Sequence, residues 1–127
     1  MTRTAVRTTS APAAIGPYSQ GIASGGFLFC SGQIGLDPAT GDLVDGLEGQ
    51  TNRVLRNIAA ILEAAGLTMA DVVKTTIFLT NMGDFATVNG IYAKHMPDPP
   101  PARSTVAVSG LPKGALIEVE AVARARP

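Results

Sequence analysis

The hydrophobic period changes twice between Leu47 and His95, and that change restricts the possible folds more than any other feature of the chain. From about Leu47 to Ala65, the residues Val54, Leu55, Ile58, Ile61, Leu62 and Ala65 recur at spacings of three and four, the mark of a helix with one buried face. Gly66 is its natural stop. Thr68-Met69-Ala70-Asp71 has capping-box spacing and predicts a single helical turn. Val72 to Leu79 then reads as a strand, in which Val73, Thr75, Ile77 and Leu79 alternate with Val72, Lys74, Thr76 and Phe78. Such a strand suits a sheet covered by helices on one side and by something less polar than water on the other. Asp84 through His95 returns to the helical period, with Phe85, Val88 and Tyr92 inward, and the Pro97-Asp98-Pro99-Pro100-Pro101 run ends it.

Ahead of this core, Ala11 to Gly26 is rich in Gly, Pro and Ser, the segment Ile15-Gly16-Pro17-Tyr18-Ser19-Gln20-Gly21 within it reads as an ordered loop, and an extended Thr4 to Thr8 precedes it. Phe27-Leu28-Phe29-Cys30-Ser31 reads as a buried strand that Gly32-Gln33-Ile34-Gly35 continues. Asp37-Pro38-Ala39-Thr40-Gly41 carries the Pro and Gly of a reversing turn. Two more strands follow the proline run, around Arg103-Ser104-Thr105-Val106 and from Ala115 to Ala123. Helices interleaved with hairpins predict one α+β domain over 1–127, with two helices packed on one face of a mixed sheet.

Composition bears on the other face of that sheet. Hydrophobic residues make up 46% of the 127, but charged residues only 16%, against roughly 25% in an ordinary soluble domain. So few charges imply that part of the surface is buried in a homo-oligomer. Ten basic residues balance ten acidic ones, which leaves no electrostatic footprint for a nucleic acid or an anionic membrane. The longest apolar stretches are far too short to cross a bilayer, and the start of the chain lacks the apolar core of a secretion signal. A cytoplasmic location is the expectation.

The usual catalytic kits are missing. The one His, His95, lies at a helix end beside Met96 and Pro97, where a capping role outweighs general-base chemistry. One His and one Cys cannot build a structural zinc site, so no metal is expected. Cys30 lies in an apolar strand and reads as a small core residue. Gly21-Ile22-Ala23-Ser24-Gly25-Gly26 matches neither a phosphate loop nor a dinucleotide fingerprint, and no cofactor is indicated.

Arg103 stands out against that background. A rigid proline run hands it directly into a strand, and a guanidinium held on a sheet can grip a carboxylate or phosphate with two parallel hydrogen bonds. If the connection around Leu111-Pro112-Lys113-Gly114 closes an antiparallel hairpin, Arg103 lies opposite Glu120 and Thr105 opposite Glu118, all on one face. That arrangement is either the wall of a small-anion site or an edge-strand Arg with a surface salt bridge to Glu120. Tyr18 is held between Pro17 and Ser19 in a glycine-bounded loop, and Ser31 ends a buried strand; each reads as a site residue or as plain packing. Asn89, unfavourable in mid-helix, is either solvated or a polar group wanted in a cleft.

Four segments together carry a resemblance: Ala11-Pro12-Ala13-Ala14-Ile15-Gly16-Pro17-Tyr18-Ser19-Gln20-Gly21, the Ser31-Gly32-Gln33 corner, Val73-Lys74-Thr75-Thr76, and Pro101-Ala102-Arg103-Ser104 with Ile117-Glu118-Val119-Glu120. In this order, over about Ala11 to Ala123, the chain resembles the Rid (reactive intermediate deaminase) family, also called YjgF or L-PSP. The resemblance implies a chorismate-mutase-like α+β fold and a homotrimer with clefts between subunits. It also implies cofactor-independent hydrolysis of 2-imino acids, released by pyridoxal-phosphate dehydratases, to 2-keto acids and ammonia. It makes Arg103 the carboxylate-binding group and Glu118 the residue that positions water, with Tyr18, Ser31, Asn89 and Thr105 lining the substrate. Family deaminases often carry cysteine where this chain has Thr105. Two other readings are a non-catalytic sensor of small carboxylates and the ribonuclease or translation inhibitor that the L-PSP name suggests.

Overall fold

Gly25 and Gly26, with φ of 60° and 83°, make the left-handed two-residue turn that matches the twist of a hairpin, and they join β2 (Gly21–Ser24) to β3 (Phe27–Gln33). The structure, a computed structural model, describes residues 2–125. β1 (Arg3–Val6) pairs with the outer edge of β2. No strand is expected from the sequence between the loop ending at Gly21 and Phe27, yet β2 lies there. The glycines that suggested irregular chain are its hairpin turn.

The remaining elements are α1 (Leu47–Ala64), β4 (Val72–Leu79), α2 (Phe85–His95), β5 (Ala102–Ala107) and β6 (Ile117–Arg124). Thr68 caps the short turn Met69–Asp71 in the reciprocal capping box that the spacing predicts. The six strands lie in the order β1-β2-β3-β6-β4-β5, antiparallel except for the parallel pair of β4 and β5. This is the expected mixed sheet, and both helices lie on one face. Val54, Leu55, Ile58, Ile61 and Leu62 of α1 pack into one core with Leu28, Ile77, Leu79, Ile117 and Val119 of the sheet. Burying each such side chain contributes roughly 1.5–3 kcal/mol.

The order of β5 and β6 overturns the hairpin expectation. β6 does not pair with β5; it lies between β3 and β4, and β5 forms the edge beyond β4. The reason is the α2 crossover. A strand, helix and strand joined in that order lie parallel and adjacent, so β5 takes the free edge of β4. The chain then steps over the end of β4, where Val108 N–H donates to Leu79 and Thr80 N–H donates to Leu116, and returns on the other side.

Register follows from this order. Arg103 pairs with Thr75 and Thr105 with Ile77, on the helix-covered face, whereas Glu118 pairs with Phe78 and Glu120 with Thr76, on the open face. The expected single face carrying all four side chains is therefore split between the two sides of the sheet. Among the described residues the surface salt bridge from Arg103 to Glu120 is absent for the same reason.

Among the described residues nothing forms a covering layer over the open face. Phe27 and Phe29 stand on it 39% and 49% exposed, with their ring centroids 6.4 Å apart, and Val106 is similarly uncovered.

Candidate functional site

The chemistry-bearing residues form two clusters. The first is built by α2 and β5. Phe85, Asn89 and Tyr92 are spaced four and three apart and share one stripe of α2, which faces Arg103. Arg103 Nη1 donates to Asn89 Oδ1 at 2.7 Å, and its guanidinium carbon lies 5.5 Å from the Phe85 ring centre and 5.0 Å from that of Tyr92. The Tyr92 hydroxyl hydrogen-bonds the Thr75 hydroxyl at 2.6 Å beneath it. Thr105 lies two residues along β5, and its hydroxyl oxygen is buried with no hydrogen-bond partner. A guanidinium uses five N–H donors, so one contact to Asn89 leaves a donor edge for a planar anion.

The second cluster is on the open face. A cleft of about 740 Å³ is lined by Tyr18, Ser31, Gly32, Glu118 and Lys113, with an apolar wall that includes Ile15, Ile34 and Leu36. β3 carries one extra residue between Cys30 and Gln33 relative to β6, a bulge that falls on Ser31 and Gly32. It turns the Ser31 hydroxyl to donate to the Ser19 carbonyl, while Ser31 N–H donates to Gln20, so the loop bearing Tyr18 is tied to the sheet. Gln20 is buried and clamps the same loop from inside, accepting from Thr8 N–H and donating to the Thr8 and Pro12 carbonyls. Tyr18 itself is 52% exposed.

Glu118 lies directly over Gly32. A Cβ at position 32 would fall 2.6 Å from Glu118 Oε2, so the bare backbone there is what lets the carboxylate lie against β3. Burial first, and then the charge of Glu120, raises Glu118 above the ordinary carboxylate value. A carboxylate destabilised in this way is a stronger base than a solvated one.

The two clusters lie on opposite faces of one sheet. Arg103, Asn89 and Thr105 come together, and Tyr18, Ser31 and Glu118 come together, but the groups do not meet within the chain. Sequence reasoning missed the Phe85 and Tyr92 contacts to Arg103, although their spacing with Asn89 was available, and missed Lys113, which turns into the second cleft at φ 58°. The residues set aside from the sequence lie elsewhere. His95 bonds Asn52 of α1 at 3.0 Å, and burial, then the Arg56 charge, lowers its pKa. Burial pushes the Cys30 thiol up to about 12, which makes it inert. Among the described residues no group of acidic, His and Cys side chains is arranged to hold a metal, and no helix is long and apolar enough to cross a membrane.

Comparison with known proteins places this geometry in a family. Residues 8–125 match the family model described as Endoribonuclease L-PSP. The chain is 54% identical to a RutC family protein of Pyrococcus horikoshii over 91% of its own length and 93% of the relative's. It is 47% identical to the 2-iminobutanoate/2-iminopropanoate deaminase of Salmonella typhimurium, over 93% and 94%. Among solved structures it superposes on E. coli TdcF with bound serine at a TM-score of 0.91 and 41% identity, covering 97% of this chain and 99% of that one. The E. coli YjgF product gives the same TM-score at 45% identity, with the same coverage. The fold is the chorismate-mutase-like α+β fold of these proteins, and the chain belongs to the Rid/YjgF/L-PSP family.

Proposed function

We propose that this protein hydrolyses 2-imino acids to 2-keto acids and ammonia, in clefts assembled between the subunits of a homotrimer. The observation that carries the reading is the split of the chemistry. Arg103 offers a carboxylate clamp on one face, and Glu118 offers a base in an apolar cleft on the other, so each becomes useful only beside a second copy. The uncovered Phe27, Phe29 and Val106 give the open face a reason to be covered by that copy. Deaminase names among relatives with nearly full-length coverage support the same reaction class.

In this reading Arg103 of one subunit holds the substrate carboxylate, oriented by Asn89, while Tyr18 and Ser31 of the neighbour close the cleft around the imine. An imine carbon is already electrophilic, so orientation and charge stabilisation supply most of what is needed. Glu118, with the unpartnered Thr105 hydroxyl across the cleft, holds a water against that carbon. The water oxygen bonds to carbon as the C=N π pair moves to nitrogen. Glu118 takes a water proton and passes it to nitrogen, giving a carbinolamine. Glu118 then relays the hydroxyl proton to nitrogen, and as the oxygen lone pair forms the carbonyl the C–N bond breaks and ammonia leaves. No metal or cofactor enters the scheme.

The test is imine decay in an assay coupled to threonine dehydratase. Arg103→Ala is expected to remove nearly all acceleration, and Glu118→Gln to slow turnover while leaving carboxylate binding. Reassembling the two impaired variants together should restore roughly a quarter of the sites to full activity, since a random mixture pairs one intact Arg103 with one intact Glu118 that often. A mixture as dead as its parts would exclude the shared cleft.

A second reading is non-catalytic binding of a small carboxylate. The resemblance to TdcF, whose structure holds serine, favours it, and tight 2-oxobutanoate binding without imine hydrolysis would establish it. Ribonuclease activity, named in the family description, is disfavoured by the zero net charge and by the engagement of His95 with Asn52.

A further inference from the structure

We infer that Phe85 and Tyr92 are positioning residues that fix the plane of the Arg103 guanidinium, with Thr75 as the anchor for Tyr92. This rests on the reading of Arg103 as the carboxylate clamp and adds the device that makes the clamp rigid. Arginine carries several rotatable bonds, and a guanidinium free to swing offers its paired donors in the correct plane only part of the time.

Three contacts restrain it here. The Phe85 and Tyr92 rings lie 5.5 Å and 5.0 Å from its carbon, within the range where a cation is held by an aromatic face. Asn89, between them on the same helical stripe, fixes the rotation in the plane through Nη1. Tyr92 is buried, and its hydroxyl bonds Thr75, which is also buried and is the β4 residue paired directly with Arg103. The sheet therefore holds the arginine backbone and the ring beneath its side chain from adjacent positions.

The experiment titrates 2-oxobutanoate into the assembled protein by calorimetry, alongside imine-hydrolysis kinetics and thermal unfolding. Tyr92→Leu is expected to weaken 2-oxobutanoate roughly tenfold, with a matching rise in KM and a smaller change in kcat. Tyr92→Phe keeps the ring but loses the Thr75 anchor, and should weaken binding by about two- to threefold. Phe85→Leu, at a half-buried position, carries the same test if Tyr92→Leu does not fold, and should weaken binding roughly fivefold. Wild-type affinity in the Leu variants, or a Tyr92→Phe defect as large as that of Tyr92→Leu, would overturn the positioning role while leaving imine hydrolysis intact. Graded 2-oxobutanoate binding across the series in a protein that hydrolyses no imine would instead support the positioning role and sink the proposed reaction.

Discussion

At the scale of single residues, Gly32 and Glu118 are one unit. Gly32→Ala creates an overlap only with the Glu118 side chain, whose flexible end can move aside. The expected result is an unfolding midpoint close to wild type with loss of most imine hydrolysis, the signature of a displaced carboxylate; retained activity would show that the carboxylate does not need its seat on β3. Glu118 also makes a pH prediction. Its folded pKa is raised, so between the unfolded value and the folded one the native state binds more protons than the unfolded state, and stability falls as pH rises through that window. Glu118→Gln should match wild type below about pH 4 and exceed it above, when urea midpoints are compared. A wild type more stable than the variant at neutral pH would contradict the burial argument. Arg103 and Tyr18 stand out in the sequence because neighbouring prolines hold them rigidly, and Asn89 because it is unfavourable in mid-helix. The seat beneath Glu118 was not, since a glycine that accommodates a distant side chain looks like any other glycine in a strand.

At the scale of elements, α1 does more than cover the sheet. Asn57 is fully buried and donates to the Ile34 and Leu36 carbonyls at 3.2 and 3.0 Å, while Arg53 Nε donates to its Oδ1. This fastens the segment after β3, which contributes Ile34 and Leu36 to the cleft, onto the helix. Asn57→Ala strands two carbonyls in the interior and should cost about 2–4 kcal/mol, read as a lowered urea midpoint; a loss under about 1 kcal/mol would mean water replaces the amide. The helices and β4 were legible because their periods are long and clean. The bulge at Ser31 and Gly32 was not, because one inserted residue leaves the composition of a strand unchanged. β2 was masked by the glycines of its own turn.

At the scale of the whole molecule, the open sheet face is where the low charge of the chain becomes structural. Phe29→Glu puts a charge at its centre, and the variant is expected to elute as a folded monomer with its circular dichroism preserved and its imine hydrolysis lost. An unchanged oligomer would mean that the face is covered by something other than a second copy. The sequence by itself determined both helices and most of the strands, the side of each helix that is buried, and the arginine and glutamate with unusual surroundings, because all of these follow from local periodicity and from residues costly to place. Only the tertiary structure decided that Arg103 and Glu118 lie on opposite faces. Strand order is set by connections between elements distant in sequence, and the α2 crossover, not the spacing between β5 and β6, places β5 on the outer edge of β4.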